Sequence, residues 1–465
     1  MKRWRYISIL LTVFIAFPAS FSGSKGAVAT QAGGSNNFFE GAERVVAERE
    51  VKRLMRIQAR HQSAMMAHPG VNGFGIGVNT STRQLVYRIF MDEDEPITSM
   101  PATIEGVPVE VEKRQRLVMI NGGDGCIPCH SEQLSLPVQM GNSTSGNLFC
   151  SACTLGFKAR DLDTGQLVYM TAGHCSLDAT GCPATAPIGT MNFHRGALDN
   201  GCSLMGLLNI GTQADLAFPT LGDTNVDAVE IISSDAQTSS AIRDIGTPSA
   251  VPATVLPGDV VQKSGRTTGL TFGAVSFVNG TALISSPCNP LFLFPAVIGI
   301  DATGGCSNPP CAIGRGGDSG SAVLNMANPP QIAGLLFAAN SSGSFGFAIP
   351  IADILSRFNL TLDLSQGASF NICLQDESDA DKVVLMNSST GDYIFSCAGD
   401  VVTGRGRMTI KGNSFTLQHN AADRRVLIKV DGGVHKGTAS LQTPPGVIKC
   451  SIVDKNTQDN TCNSQ

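Results

Sequence analysis

Between residues 147 and 360 the apolar positions fall in short runs separated by glycine and proline. Runs at 153–158, 166–171, 206–210, 226–232, 259–263, 271–278, 282–285, 296–300, 321–324, 331–337 and 345–350 alternate with polar residues or stay continuously apolar, so each predicts a strand. Eleven short strands with this punctuation fit an all-β double barrel. Residues 351–358 (IADILSRF) return to helical spacing and predict a terminal helix. Upstream, residues 38–66 contain no proline, and Val45, Val46, Val51, Leu54, Met55 and Ile57 make a rough apolar stripe, which predicts an amphipathic helix. Strands are predicted at 73–78, 84–91 and 104–112, giving a small α+β unit. Such a unit is too small for a large core of its own and is expected to dock on its neighbour. After residue 360 the pattern becomes polar and alternating at 382–386, 392–397, 407–410, 414–419 and 425–430, which predicts a separate β module.

The chain therefore divides into residues 1–22, a linker and helix at 23–69, the α+β unit at 70–121, the strand-rich body at 122–360 and the β module at 361–465. The module holds Cys373, Cys397, Cys450 and Cys462 and no catalytic constellation; binding or anchoring and simple stabilisation both stay open. The fold class is mainly β.

Composition sharpens this picture. Only 15% of the 465 residues are charged, with 51 Gly and 23 Pro, which suits a loop-rich β protein. The net charge is −5 and no basic stripe is present, so nucleic acid is not an expected partner. Residues 1–22 pair a positive start (Lys2, Arg3, Arg5) with a short apolar run and the small residues Ala19, Ser20 and Ser22, the pattern of an export signal cut near Ser22. The run is short against the roughly 20 residues of a full span, so no stable membrane span is expected. Trp4, the single tryptophan, would leave with that signal.

Fourteen cysteines, all beyond residue 125, agree with an oxidising destination, secreted or periplasmic. Cys126-Ile127-Pro128-Cys129-His130 spells the c-type haem attachment string. A structural disulfide, a redox pair and a haem site are the three readings, and the loop-like surroundings favour the disulfide.

Two strings carry chemistry. Gly317-Asp318-Ser319-Gly320 places a serine in a tight turn that can present its hydroxyl, with the amides of Gly317 and Ser319 aimed at one point as oxyanion donors. Thr171-Ala172-Gly173-His174-Cys175, upstream, supplies a base for that hydroxyl, which is a weak nucleophile unless its proton is taken. A third group must orient the imidazole, and Asp215 and Asp227 both lie between the two strings in apolar surroundings.

The two strings, in the chain order His, Asp, Ser, resemble the signature segments of the chymotrypsin-like serine proteases. Lys263-Ser264-Gly265-Arg266-Thr267-Thr268-Gly269-Leu270-Thr271-Phe272-Gly273 resembles the KxGRTTGxTxG segment of the bacterial and plant narrow-leaf-type trypsin-like branch. Ile210-Gly211-Thr212 and Asn225-Val226-Asp227-Ala228 are similar to the stretch that carries that branch's aspartate, so the resemblance implies Asp227 rather than Asp215. It covers roughly residues 68–360. Gly173, where the branch usually has Asn, and the many cysteines depart from it.

The resemblance further implies a serine endopeptidase acting through an acyl-enzyme on protein or peptide substrates, with no metal or organic cofactor. It implies that Cys175 joins Cys153 or Cys150 in a disulfide pinning the histidine loop. Ile313 matches the floor of the substrate pocket, with walls from 334–339 (including Gly334 and Ala338) and 343–347. An apolar or small residue before the cut follows, and Arg315 nearby would disfavour basic ones. No Ile-Val-Gly-Gly activation string precedes the body, so Asp318 is expected to make a local contact. A non-catalytic binding protein on the same scaffold, and an electron carrier using the CxxCH string, are the alternatives.

Overall fold

The computed structural model describes residues 37–364 other than 97–99, 120–129, 133, 183–184, 224, 287, 289–290, 305–311 and 363, and beyond them nine strands between residues 371 and 453. Cys126 and Cys129 of the CxxCH string lie outside the described residues.

Helix Gly41–Met66 buries Ala47, Val51, Leu54, Ile57, Gln58 and Met65. The expected stripe is thereby corrected: Val45, Val46 and Met55 face outward. A glutamine takes part because its amide is used, Nε2 donating to the carbonyls of Asn279 (2.7 Å) and Phe74 (3.1 Å). A buried polar group without such partners would cost free energy. The Tyr87 hydroxyl donates to the Leu54 carbonyl at 2.8 Å, tying the helix to the next strands.

The small unit does more than dock. Strand Val71–Val78 pairs with Leu85–Asp92 on one side and with Gly269–Ser285 on the other, at Gly73 opposite Ala282 and Gly77 opposite Phe277. One sheet thus runs from the N-terminal unit into the body across residue 121. Glycine is required at Gly75, Gly280 and Gly299 because an added Cβ would fall 2.5, 1.8 and 2.1 Å from the Phe277 ring.

The body is two β structures. In the second, strands Val260–Gly265, Ala322–Asn325, Ile332–Ala339, Phe345–Pro350, Phe292–Ala302 and Gly269–Ser285 pair in that order, and the last pairs with the first, closing a barrel. The runs expected at 271–278 and 282–285 are one seventeen-residue strand, bent at register shifts between Val275 and Ala282. Bulges let a long strand turn a barrel corner without ending. The first structure is an antiparallel sheet in the order Leu360–Thr361, Phe157–Asp161, Leu167–Thr171, Ala228–Ile232, Leu208–Ala217, Met191–His194, Ser143–Gly146 and Cys153–Thr154. The strand expected at 206–210 instead spans Leu208–Ala217. Cys182–Cys288 links the two halves, and Arg266 of the second half reaches Asp199 of the first with both side chains buried. Helix Ile351–Arg357 follows the last barrel strand. The body is thus mainly β and in two parts, one a closed barrel and the other an antiparallel sheet.

Beyond residue 370, four strands (Asn371–Asp376 to Asp400–Arg405) and five strands (Arg407–Lys411 to Gly446–Val453) form two antiparallel meanders. Among the described residues no helix is long and apolar enough to cross a membrane.

Candidate active site

Strand Leu167–Thr171 ends in a single 3-10 turn, Gly173–Cys175. Gly173 is there for space: a Cβ would lie 2.7 Å from the Ala217 carbonyl and 2.9 Å from both Ala228 N and Asp227 Oδ1. That close approach lets the His174 N–H donate to Asp227 Oδ1 at 2.7 Å. The carboxylate uses its second oxygen on the ring, with Oδ2 2.6 Å from His174 Nδ1. The other ring nitrogen, Nε2, stands 2.8 Å from Ser319 Oγ. The Cys153–Cys175 disulfide holds the turn to the strand beside it, one of the two pairings the resemblance implied.

Asp227 directly precedes strand Ala228–Ile232, so the sheet fixes its backbone. Asp215, the other candidate, lies on strand Leu208–Ala217 with its Oδ2 2.9 Å from Arg357 Nη1. It is partly exposed and engaged by an arginine, away from the imidazole that Asp227 holds.

The serine turn is fixed by its own loop and by the Gly265–Thr268 corner. Gly317 (φ +94°) and Gly320 (φ +90°) adopt backbone conformations that favour glycine. A Cβ on Gly320 would fall 2.1 Å from Thr171 Oγ1. Asp318 Oδ1 accepts from the amides of Thr267 (2.9 Å) and Thr268 (3.1 Å), and Oδ2 from the Arg315 amide and the Thr268 hydroxyl (both 2.9 Å). Lys263 Nζ stands 3.4 Å from the same carboxylate, wholly buried, and also contacts Thr268 Oγ1 and the Gly269 carbonyl. Burial pushes this ammonium below its usual range, partly offset by Asp318. Thr154 bridges from the first half, its hydroxyl donating to the Gly317 carbonyl and its amide to the Ser319 carbonyl, both at 2.8 Å. The expected local contact of Asp318 therefore has named partners. In the sequence Lys263, Thr267 and Thr268 stand out only through the resemblance, and nothing there marks Thr154, whose role depends on contacts made across the fold.

Ile313 is fully buried, its amide bonded to the Gly343 carbonyl at 2.7 Å, and its side chain packs toward Gly346. Strand Ile332–Ala339 skips Phe337 in its pairing with Phe345–Pro350, and this bulged residue turns its carbonyl to Ser319 Oγ at 3.3 Å. Ala338 follows directly in the chain and pairs with Phe347. Gly334 does not belong beside the serine: it pairs with Val323 and Pro350, three residues before Phe337 and so about 10 Å along the strand at roughly 3.3 Å per residue.

His130, last of the CxxCH string, is buried with Nδ1 3.1 Å from the Gly141 carbonyl and Nε2 3.0 Å from Asp244 Oδ2. Both ring nitrogens therefore have a protein partner. Burial holds its imidazole below the usual range. Among the described residues no group of three His, Cys, Asp or Glu side chains is placed to hold a metal.

No protein-family model matches the chain, and no curated protein does. Solved structures similar to it include Thermobifida fusca protease A (23% identity, 48% of this chain and 97% of that one, TM-score 0.34). A glutamic acid-specific serine protease that utilizes a histidine triad in substrate binding is similar at 20% identity (48% and 99% covered, TM-score 0.35). Cellulomonas bogoriensis chymotrypsin is similar at 20% identity (48% and 97%, TM-score 0.30).

Proposed function

We propose that this chain is an exported serine endopeptidase of the chymotrypsin-like superfamily, with His174, Asp227 and Ser319 as its triad. The single observation behind this reading is the unbroken run of contacts Asp227 Oδ2–His174 Nδ1 and His174 Nε2–Ser319 Oγ, at 2.6 and 2.8 Å. In the reaction, Ser319 Oγ bonds to the scissile carbonyl carbon while His174 Nε2 takes the hydroxyl proton. The C–N bond then breaks and the same proton passes to the leaving amine, leaving an acyl-serine. Water, deprotonated by His174, attacks the ester and releases the acid and the free serine. Asp227 keeps the proton of the resting imidazole on Nδ1 and stabilises the imidazolium. The amides of Gly317 and Ser319 receive the developing oxyanion, on a loop held by the partners of Asp318. The disulfides fit export to an oxidising compartment. The KSGRTTG string supports reading the chain as similar to the narrow-leaf-type branch.

The test is labelling with a fluorophosphonate probe. Wild type is expected to label at one serine, and Ser319→Ala to lose the label; a folded wild type that never labels, with or without an opened cleft, ends the proposal. One observation favours a non-catalytic binding protein instead: neither His174 nor Ser319 has accessible surface.

A further inference from the structure

Strand Ile332–Ala339 has barrel neighbours on both sides only over part of its length. Strand Phe345–Pro350 pairs with it from Gly334 to Ala339. On the other side, strand Ala322–Asn325 pairs with Ile332, Gly334 and Leu335 and stops there. Beyond that point, among the described residues, no barrel strand pairs with Ala338 and Ala339 on that side. An unpaired strand edge is a template for an extended chain. This edge begins one residue past Phe337, whose carbonyl accepts from Ser319 Oγ.

The edge is nevertheless filled. Residues Leu117–Met119 lie along it antiparallel, Met119 opposite Ala338 and Val118 opposite Ala339. Their other side pairs parallel with Ile284 and Ser285 at the end of the long strand. Leu117 and Met119 are buried and Val118 is 43% exposed, the alternation of a strand with one face in a cleft. The approach to the segment is strapped to the body, Arg114 to Asp301 at 2.5 Å and Gln115 to Ser341 Oγ at 2.8 Å. The segment runs with its C-terminal end toward Ser319, the direction in which the acyl side of a peptide must enter to present its carbonyl.

We propose that Leu117–Met119, lying along Ala338–Ala339, is an internal occupant of the cleft that withholds Ser319 from substrate until displaced. The substrate class follows from the occupant: an extended segment with apolar side chains at two alternate positions before the cut, matching Leu117 and Met119, and tolerance at the position of Val118. This rests on Ser319 being the nucleophile only for its catalytic consequence; the occupancy itself can be tested without it.

Val118→Pro removes an amide from a residue paired on both sides and places a ring where a strand neighbour sits. If the displaced form is populated at roughly 1–10% in wild type, the variant labels with fluorophosphonate about 10–100-fold faster. Val118→Thr, which suits a strand, is expected to label at the wild-type rate, and thermal melts of both variants establish that they fold. Should Val118→Pro not fold, the pair Val118→Cys with Ala339→Cys replaces it: oxidation is expected to abolish labelling and mild reduction to restore it, with wild type carried through the same treatment. Equal labelling rates in folded wild type and Val118→Pro, or undiminished labelling of the cross-linked pair, overturn the proposal while leaving the protease reading intact. A fluorescent peptide of residues 116–119 provides the arm that does not depend on catalysis. Binding to Ser319→Ala carrying Val118→Pro, but not to Ser319→Ala alone, supports the occupancy even where Ser319 proves unreactive, and no binding to the opened variant overturns it.

Discussion

The ammonium of Lys263 lies 3.4 Å from the carboxylate of Asp318, and neither side chain reaches solvent. Asp318 adjoins the serine, so this pair fixes the backbone that carries Ser319 and the Gly317 amide. Removing one member of a buried pair leaves an uncompensated charge, at a cost of about 3–5 kcal/mol. Lys263→Met is therefore expected to lower the urea midpoint sharply and slow probe labelling. Lys263→Met combined with Asp318→Asn is expected to recover part of that stability, because no charge is then left alone. Additive losses in the double variant, measured by urea unfolding, would show that the two groups do not act as a pair.

Asp227 and Asp215 make opposite predictions. Asp227 is wholly buried against His174, so Asp227→Asn is expected to reduce kcat by about 10⁴ by favouring the wrong tautomer. Asp215 meets Arg357 at a partly exposed site, and Asp215→Asn is expected to leave turnover near wild type and cost under about 1 kcal/mol. Loss of turnover in Asp215→Asn but not in Asp227→Asn would reverse the assignment.

Strand periodicity made the barrel legible, because buried strands repeat every two residues whatever their partners. The helix is legible and Val51, Leu54 and Ile57 of its expected stripe are buried, but Val45, Val46 and Met55 are not. Its true stripe includes Ala47 and Gln58, and only the carbonyls of Phe74 and Asn279 reveal why a glutamine belongs inside. Pairing is likewise invisible in one strand's pattern, so the continuation of the N-terminal sheet into the barrel was not foreseen. The resemblance implies Gly334 as a pocket wall, but distance to Ser319 depends on a bulge at Phe337 that no periodicity encodes. Leu117–Met119 is three residues long, too short to carry a periodic signal. Lys263 reads as one polar residue in an alternating strand until its carboxylate partner is seen.

Two glycines of similar φ separate backbone preference from space. Gly222 (φ +93°) has nothing within 4 Å of where a Cβ would stand, whereas at Gly320 (φ +90°) that Cβ would meet Thr171 Oγ1 at 2.1 Å and the Thr154 carbonyl at 2.4 Å. Gly222→Ala is expected to cost only the conformational penalty, about 1–2 kcal/mol. Gly320→Ala is expected to cost more and to slow labelling, since the turn holding Ser319 must shift. Melting temperatures of the two variants side by side check this; equal losses would remove the steric argument.

Glu230 supplies a prediction in pH. It lies buried in strand Ala228–Ile232 with Oε1 lacking a hydrogen-bond partner. Burial first, then the carboxylates of Asp161, Asp215 and Asp163, push its carboxyl up to about 8, against 4.5 ordinarily. The folded chain therefore binds a proton that the unfolded chain has released between about pH 4.5 and 8. Linkage makes stability fall as pH rises through that window: the contribution is whole below the unfolded value and gone above the folded one. Glu230→Gln keeps the shape without the proton, so its urea midpoint should match wild type near pH 4 and exceed it above pH 8. Parallel midpoint–pH curves for the two proteins would mean that Glu230 does not titrate in this range.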